Sequence, residues 1–172
     1  MRNSKKLTLS ALFSALGIIL LSIGSIFEPI DLSMAALAGF VVVLAVIEIG
    51  GMYPYLIYFV ISALSLLLLP NRFPGIAFLC FAGNYPIFKS HFERFHPLVT
   101  WSVKFSYFNV IFAVMIYLVR NVFMIPDTVW EFRLILFAAA NLAFLLYDIA
   151  MTRIITLYLV KLRRRFGLRD FF

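Results

Sequence analysis

Residues 7–27 read LTLSALFSALGIILLSIGSIF, and this run contains no charged side chain. A helix of about 20 residues, rising ~1.5 Å per residue, spans the ~30 Å hydrocarbon core of a bilayer. Arg2, Lys5 and Lys6 precede the run, as in a signal peptide, but no small-residue cleavage site and no exported domain follow it directly. The run therefore predicts a retained transmembrane helix.

Five further apolar runs follow the first one. The six predicted spans cover residues 7–27, 32–49, 52–69, 73–89, 98–119 and 130–160. The composition agrees, because 64% of the 172 residues are hydrophobic and 13% are charged, which is more apolar surface than a soluble domain of this size buries. We therefore expect an all-α integral membrane protein with a single six-helix transmembrane domain over residues 1–172.

The positive charges predict how these helices are oriented. An even number of spans places both termini on one side of the membrane. Eleven Lys and Arg residues fall on that side and three on the other: Arg2, Lys5, Lys6, Lys89, Arg94, Lys104, Lys161, Arg163, Arg164, Arg165 and Arg169 against Arg72, Arg120 and Arg133. Because Lys and Arg accumulate in cytoplasmic segments, we expect both termini in the cytoplasm.

Four ionisable residues project to the inner third of the predicted spans, and ionisable side chains are costly in a bilayer. They are Glu48, Lys89, Asp148 and Arg153. Two acids and two bases at one depth neutralise each other. One interpretation is a structural brace between spans two, four and six, in which Asp148 pairs with Lys89 or Arg153. The other is a coupling element that rearranges when a partner docks on the cytoplasmic side.

Three asparagines lie near mid-depth on consecutive spans: Asn84, Asn109 and Asn141. Asparagine contacts between membrane helices are common and contribute on the order of 1 kcal/mol. Alternatively, the three amides form the floor of a polar ligand cavity.

The first span carries small residues at helical spacing, including Ala11, Ser14 and Ala15. Ala11 and Ala15 form an Ala-x-x-x-Ala motif, and small residues allow another helix to approach closely. These small residues form a stripe along one side of the helix, and we call it the small-residue stripe. It serves either internal packing or docking of a partner.

Motifs for chemistry are absent from the sequence. It has no phosphate-binding loop, no H-E-x-x-H and no nucleophile elbow. His91 and His96 lie with Glu93 in a polar stretch and are interpreted as solvated loop residues, and Cys80 is the single cysteine. We expect no catalytic site, metal, cofactor or nucleic-acid partner, and a protein that is not an enzyme.

The whole layout resembles the substrate-binding S component of an energy-coupling factor (ECF) vitamin transporter. The shared features are the basic N-terminus before an Ala-x-x-x-Ala helix, six spans, an outer Pro/Asn loop and a basic C-terminus. Residues 46–48 (VIE), 69–71 (LPN) and 83–89 (GNYPIFK) are similar to a subset of S components with unassigned substrate.

The resemblance implies a function and a set of partners. S components are multi-pass proteins of the bacterial cytoplasmic membrane that capture a vitamin or related micronutrient from outside. They dock onto an ECF module, which consists of a transmembrane T subunit and two ATPase subunits that hydrolyse ATP for this ABC-type import. Ala11 and Ala15 match the first-helix motif that faces the T subunit, and Ser14 lies on the same stripe.

The family's ligand sites lie in the outer half, which points to six positions: Asn71, Arg72, Asn109, Arg120, Arg133 and Asn141. An alternative function is a non-transporting membrane scaffold, resembling the membrane protein of the rod-shape morphogenesis complex. A membrane-embedded enzyme comes third, because no catalytic set is present. A capture subunit requires an outer cavity of roughly 300 Å³ or more with convergent polar groups, whereas a scaffold packs this region solid.

Overall fold

The computed structural model describes residues 3–92, 97–123 and 133–162, and within these ranges nearly every residue is helical and none lies in a strand. The helical fold predicted from the sequence is confirmed. The chain forms two compact units, Met1–Trp101 and Ser102–Phe172. The single six-helix transmembrane domain over residues 1–172 stays a prediction.

Within the described ranges, four helical segments are long and apolar enough to cross a membrane: Ser4–Ile26, Glu28–Glu48, Val99–Tyr117 and Phe137–Val160. They correspond to the first, second, fifth and sixth predicted spans. The third predicted span is a shorter apolar helix, Tyr53–Leu68. The chain is therefore a helical membrane protein, and its described residues include four helices that are long enough to span a bilayer.

The first unit begins with three helices that fold back on one another. They are α1 (Asn3–Ile26), α2 (Asp31–Glu48) and α3 (Tyr53–Leu68), with a 3-10 turn (Glu28–Ile30) before α2. The chain continues through α4 (Phe73–Ala77), a π-helix (Phe78–Ala82) and α5 (Tyr85–Phe92). The α6 helix (Pro97–Phe123) crosses into the second unit, where α7 (Arg133–Leu157) ends in a π-helix (Tyr158–Leu162).

Small residues on α1 determine how closely it packs against α2 and α3. Ser10, Ser14, Gly17 and Leu21 are buried and recur at spacings of four and three residues, which places them on one helix face. A Cβ atom at Gly17 would collide with Ile61 Cδ1 of α3. The absent side chain at this position therefore allows the two helices to approach.

The fourth predicted span, residues 73–89, is interrupted. The π-helix follows α4 directly, and α5 begins only at Tyr85 after a turn. Pro86 explains the interruption, because proline lacks the N–H that would bond to the carbonyl four residues earlier, and its ring clashes with that carbonyl. The sequence predicted one continuous helix here because the run is apolar on both sides of this proline.

Two ring systems enclose the turn after the π-helix. The Gly83 N–H donates to Phe78 O at 2.8 Å, which is the i to i+5 bond of a π-helix. The Tyr58 hydroxyl donates to Leu79 O at 2.8 Å and so satisfies a carbonyl within this segment. A Cβ atom at Gly83 would lie 2.5 Å from Phe78 Cζ and 2.8 Å from Tyr58 Cδ2. Glycine is therefore required by close packing at this position.

Contacts between helix termini define two ends of the first unit. At one end, the Ser25 hydroxyl donates to Asn71 O at 3.0 Å, and the Asn71 N–H donates to Ser25 Oγ at 2.9 Å. At the other end, Lys6 Nζ lies 5.7 Å from the centroid of the Tyr53 ring. We call these the Asn71 end and the Lys6 end. The α2 and α5 helices both finish at the Lys6 end, since they run opposite to α1 and α3.

Candidate functional site

The side chains of α6 and α7 meet within the second unit as a series of matched pairs. In order, the pairs are Lys104–Asp148, Phe108–Phe144, Asn109–Asn141 and Phe112–Phe137. Residue numbers rise on α6 as they fall on α7, so the helices are antiparallel. The α7 members are spaced four, three and four residues apart, which places them on one helix face. We call this set of pairs the α6–α7 seam.

A buried ion pair, Lys104–Asp148, forms the first contact of the seam. Lys104 Nζ lies 3.2 Å from Asp148 Oδ1 and 3.0 Å from Oδ2, and the two residues are 4% and 2% exposed. A charge buried in an apolar environment is strongly destabilising unless it is paired. The pair therefore allows both charges to remain inside the seam.

Lys104 was not among the partners predicted for Asp148. The charge count placed Lys104 with the residues on the terminal side, although it lies six residues inside the predicted fifth span. That position could have identified Lys104 as a partner of Asp148, because a lysine within a span requires a partner. Arg153, one of the two predicted partners, is exposed on α7. Lys89, the other, is 2% exposed and belongs to α5 of the first unit.

The other members of the predicted inner cluster lie on separate helices. Glu48 is the last residue of α2 and is half-buried, in the first unit with Lys89. Because Lys89 and Lys104 are buried, neither is a solvated loop charge of the kind that the orientation rule counts. Nine of the eleven terminal-side charges remain without them, so the charge bias persists.

Aromatic rings fill the seam next to the ion pair. Phe108 and Phe144 stack with ring centroids 4.5 Å apart and planes 9° from parallel. Phe105 meets Phe144 edge-on at 5.6 Å. Both are favoured arrangements of aromatic pairs. The stacked rings separate the ion pair from the amides beyond them.

The two amides of the seam hydrogen bond to each other. Asn141 Nδ2 donates to Asn109 Oδ1 at 3.1 Å and to Phe137 O at 2.9 Å. Asn109 Nδ2 donates to Phe105 O at 2.9 Å. This geometry is that of an inter-helix contact, one of the two interpretations drawn from the sequence. Asn84, the third predicted amide, lies in the turn before α5 in the first unit.

The remaining predicted substrate residues are placed as follows. Asn71 Oδ1 accepts a hydrogen bond from the Phe73 N–H at 3.0 Å, in the turn that leads into α4, and Arg72 is exposed beside it. Arg120 lies in α6 and Arg133 begins α7, but their side chains are outside the described part of the structure. Of the six positions, the described side chains bring only Asn109 and Asn141 into contact.

The small-residue stripe of α1 is divided between two faces. Ser14 is buried, whereas Ala11 and Ala15 are exposed. Leu12 and Leu16 flank them and are 62% and 45% exposed. The Ala-x-x-x-Ala motif therefore lies on an uncovered apolar face, and Ser14 serves the internal packing of the unit.

A cavity that the sequence did not indicate opens at the Lys6 end. It encloses about 270 Å³ and lies between the α2–α3 turn and the last turn of α5. The described ranges contain no group of three or more His, Cys, Asp and Glu side chains positioned to hold a metal ion. Comparison with protein-family models, with curated proteins and with solved structures found no match.

Proposed function

We propose that this protein is the substrate-capture subunit of an ECF-type ABC importer in a bacterial cytoplasmic membrane. In this proposal the chain crosses the bilayer six times, both termini are cytoplasmic, and the protein takes up a vitamin or related micronutrient from outside. It docks onto a T subunit and two ATPases, which supply the energy of ATP hydrolysis.

The observation that carries this proposal is the exposure of Ala11 and Ala15 on α1. The two methyl groups lie one helical turn apart on a face that no described part of the chain covers. A helix from another subunit approaches such a face more closely than one lined with large side chains. The exposed motif therefore matches the docking role that the resemblance implies.

Replacement of Ala11 and Ala15 by Trp tests the docking role. The double variant is expected to fold and to lose co-purification with a co-expressed ECF module, because the indoles prevent close helix approach. Ala139 and Ala143 provide a matched control, since they form a second exposed Ala-x-x-x-Ala on α7. Their double Trp variant should retain the module. Equal loss from both variants would contradict a specific docking face.

The α6–α7 seam supports a particular class of substrate. Asn109 and Asn141 present amide donors and acceptors between two aromatic layers. A flat, largely uncharged heteroaromatic compound matches both features, through ring-edge hydrogen bonds and ring stacking. In this proposal such a ligand exchanges the amide–amide bond for bonds of its own.

Thermal-shift screening of vitamins and nucleobase analogues on the purified protein tests the substrate class. A true ligand should raise the melting temperature, and Asn109→Leu or Asn141→Leu should weaken its binding at least tenfold, about 1.4 kcal/mol. If neither substitution changes the affinity of the ligand, the ligand binds at a different site.

One observation favours the alternative function of a non-transporting scaffold. The amides of the seam already satisfy each other, and Phe108 and Phe144 stack directly beside them. A scaffold uses such a closed seam for rigidity. Under this alternative no member of the ligand panel stabilises the protein, and the Trp variants at Ala11 and Ala15 disrupt a complex that lacks ATPases.

A further inference from the structure

The cavity at the Lys6 end is lined by polar side chains and by a glycine turn. Its lining includes Gly50 and Gly51 in the α2–α3 turn, Tyr55 in the first turn of α3, and Ser90 and His91 at the end of α5. Both glycines have φ of 63°, and a Cβ atom at Gly51 would meet nothing within 4 Å. The volume of about 270 Å³ suits a small polar group.

The hydrogen bonds of His91 involve its Nδ1 atom. Nδ1 lies 2.9 Å from Ile87 O and 3.3 Å from Ser90 Oγ. A carbonyl only accepts, so Nδ1 carries a proton in this contact, and in the tautomer protonated only at Nδ1 the Nε2 atom is an acceptor. The Ser90 hydroxyl donates to the same Ile87 carbonyl at 2.7 Å. The α5 wall therefore offers an imidazole acceptor, and the α3 wall offers the Tyr55 hydroxyl, which donates or accepts.

The charges at this end favour an anionic ligand. Lys6 lies over Tyr53 in the first turn of α3, and Lys5 is exposed beside it on α1, so both lysines lie at the same end of the unit as the cavity, although neither lines it. Lys89 lies in α5. Glu48, the last residue of α2, is the acidic residue among the described helix ends at this end of the unit. Among the described residues, lysine therefore outnumbers acid at the Lys6 end, and these charges attract anions.

The position of the cavity relative to the bilayer narrows the range of candidate ligands further. The apolar segment Ser4–Ile26 starts at the Lys6 end, and Glu28–Glu48 finishes there. The cavity therefore lies where the hydrocarbon core gives way to headgroups and water. Anionic phospholipids are attracted to juxtamembrane lysines in this zone.

We propose that the cavity at the Lys6 end binds a hydroxyl-bearing phosphate ester, the chemistry of a glycerophosphate group. The phosphate interacts with the Tyr55 hydroxyl and the field of Lys5 and Lys6, and a ligand hydroxyl donates to His91 Nε2. Two sources share this chemistry: the headgroup of an anionic phospholipid such as phosphatidylglycerol, and a soluble glycerol phosphate. The proposal is independent of whether the protein is an importer subunit.

Two variants remove the two recognition groups separately. His91→Asn keeps a side-chain amide that can replace the Nδ1 donor and removes the Nε2 acceptor. Tyr55→Phe removes only the hydroxyl. Tyr117→Phe is the matched control, because Tyr117 is an exposed tyrosine on α6 of the second unit. Melting temperatures establish that each variant is folded.

Native mass spectrometry of the full chain, delipidated and then exposed to defined lipids, measures binding. The wild-type protein should retain phosphatidylglycerol at least fivefold over phosphatidylcholine, whose headgroup has neither net charge nor hydroxyl. His91→Asn and Tyr55→Phe should each reduce this retention about fivefold, the scale of one lost hydrogen bond, and Tyr117→Phe should not.

Soluble glycerol phosphate distinguishes the two sources. Competition at millimolar concentration by glycerol phosphate, sensitive to the same two variants, identifies a soluble ester as a ligand. Absence of competition, with retention of phosphatidylglycerol, identifies the lipid headgroup. If neither ligand binds, or if binding is unchanged by both His91→Asn and Tyr55→Phe, the proposal is overturned.

Discussion

The two units of this protein hold membrane helices together in different ways. In the first unit, α1 contacts its neighbours through Ser10, Ser14 and Gly17, and close approach of the backbones supplies the packing. In the second unit, α6 and α7 contact each other through an ion pair, stacked rings and an amide pair. In lipid, close packing and interhelical polar contacts replace the hydrophobic drive of soluble proteins. The comparison shows both solutions in one chain.

The two solutions respond differently to substitution. A small-residue contact fails when a side chain is enlarged, because the helices must separate. A polar contact fails when one partner is removed, because a buried group loses its match. Substitutions of each kind therefore show whether the two units depend on the contacts identified above.

The largest effect is expected at the ion pair of the second unit. Asp148→Asn removes the carboxylate that Lys104 contacts, and loss of one partner of a buried pair costs about 3–5 kcal/mol. Unfolding in mixed detergent micelles measures the change. Lys104→Met combined with Asp148→Asn should recover at least half of the loss, since both charges are then gone. Arg153→Gln is the control and should change stability by under about 0.5 kcal/mol, because Arg153 is exposed.

A double-mutant cycle that gives no coupling between Lys104 and Asp148 would contradict the role of this pair. It would also remove the ion pair as a contact that stabilises the second unit, and the difference between the two units would then rest on the aromatic layers and the amide pair.

The next effect is expected at the turn after the π-helix in the first unit. Gly83→Ala places a methyl group against Phe78 and Tyr58, two rings with little freedom to move, so a loss of about 1–3 kcal/mol is expected. Gly17→Ala is the matched comparison. Its new Cβ meets the flexible end of Ile61, which can change rotamer, so a smaller loss is expected in the same unfolding measurement. Equal losses would show that ring rigidity does not determine the cost.

A smaller effect is expected at the amide pair. Asn109→Leu removes the acceptor of Asn141 Nδ2 and should cost about 1 kcal/mol. The double variant with Asn141→Leu should be close to the stability of the wild type, because replacing both partners with apolar groups leaves no unmatched amide at this contact. A double variant less stable than either single one would indicate that the amides act through other contacts.

The smallest effect on stability is expected on the exposed face of α1. Ala11→Leu should change the free energy of unfolding by under about 0.5 kcal/mol, because the added side chain points away from the unit. Ser14→Leu, three residues further along the same helix, should destabilise the protein by overpacking a buried site. Similar losses from both substitutions would mean that Ala11 is covered in the membrane by another part of the protein.

Sequence alone determined that the chain is a helical membrane protein, because the length and composition of an apolar run suffice to predict a spanning helix. It also located the polar residues that lie inside helices, including Asp148, Asn109 and Asn141. These features are local, since each depends on a residue and its chain neighbours. The break at Pro86 was equally local, but the apolar residues on both sides concealed it.

The tertiary structure decided which residues pair. The Asp148 carboxylate pairs with Lys104 of α6, and helix order does not specify the register of two antiparallel helices that brings them together. Likewise, only packing separates Ser14 on the buried face of α1 from Ala11 and Ala15 on the exposed face, although all three are small. The cavity at the Lys6 end is formed by residues from the α2–α3 region and α5, which lie some forty positions apart. Pairing and cavities depend on distances between helices, and a one-dimensional pattern carries no such distances.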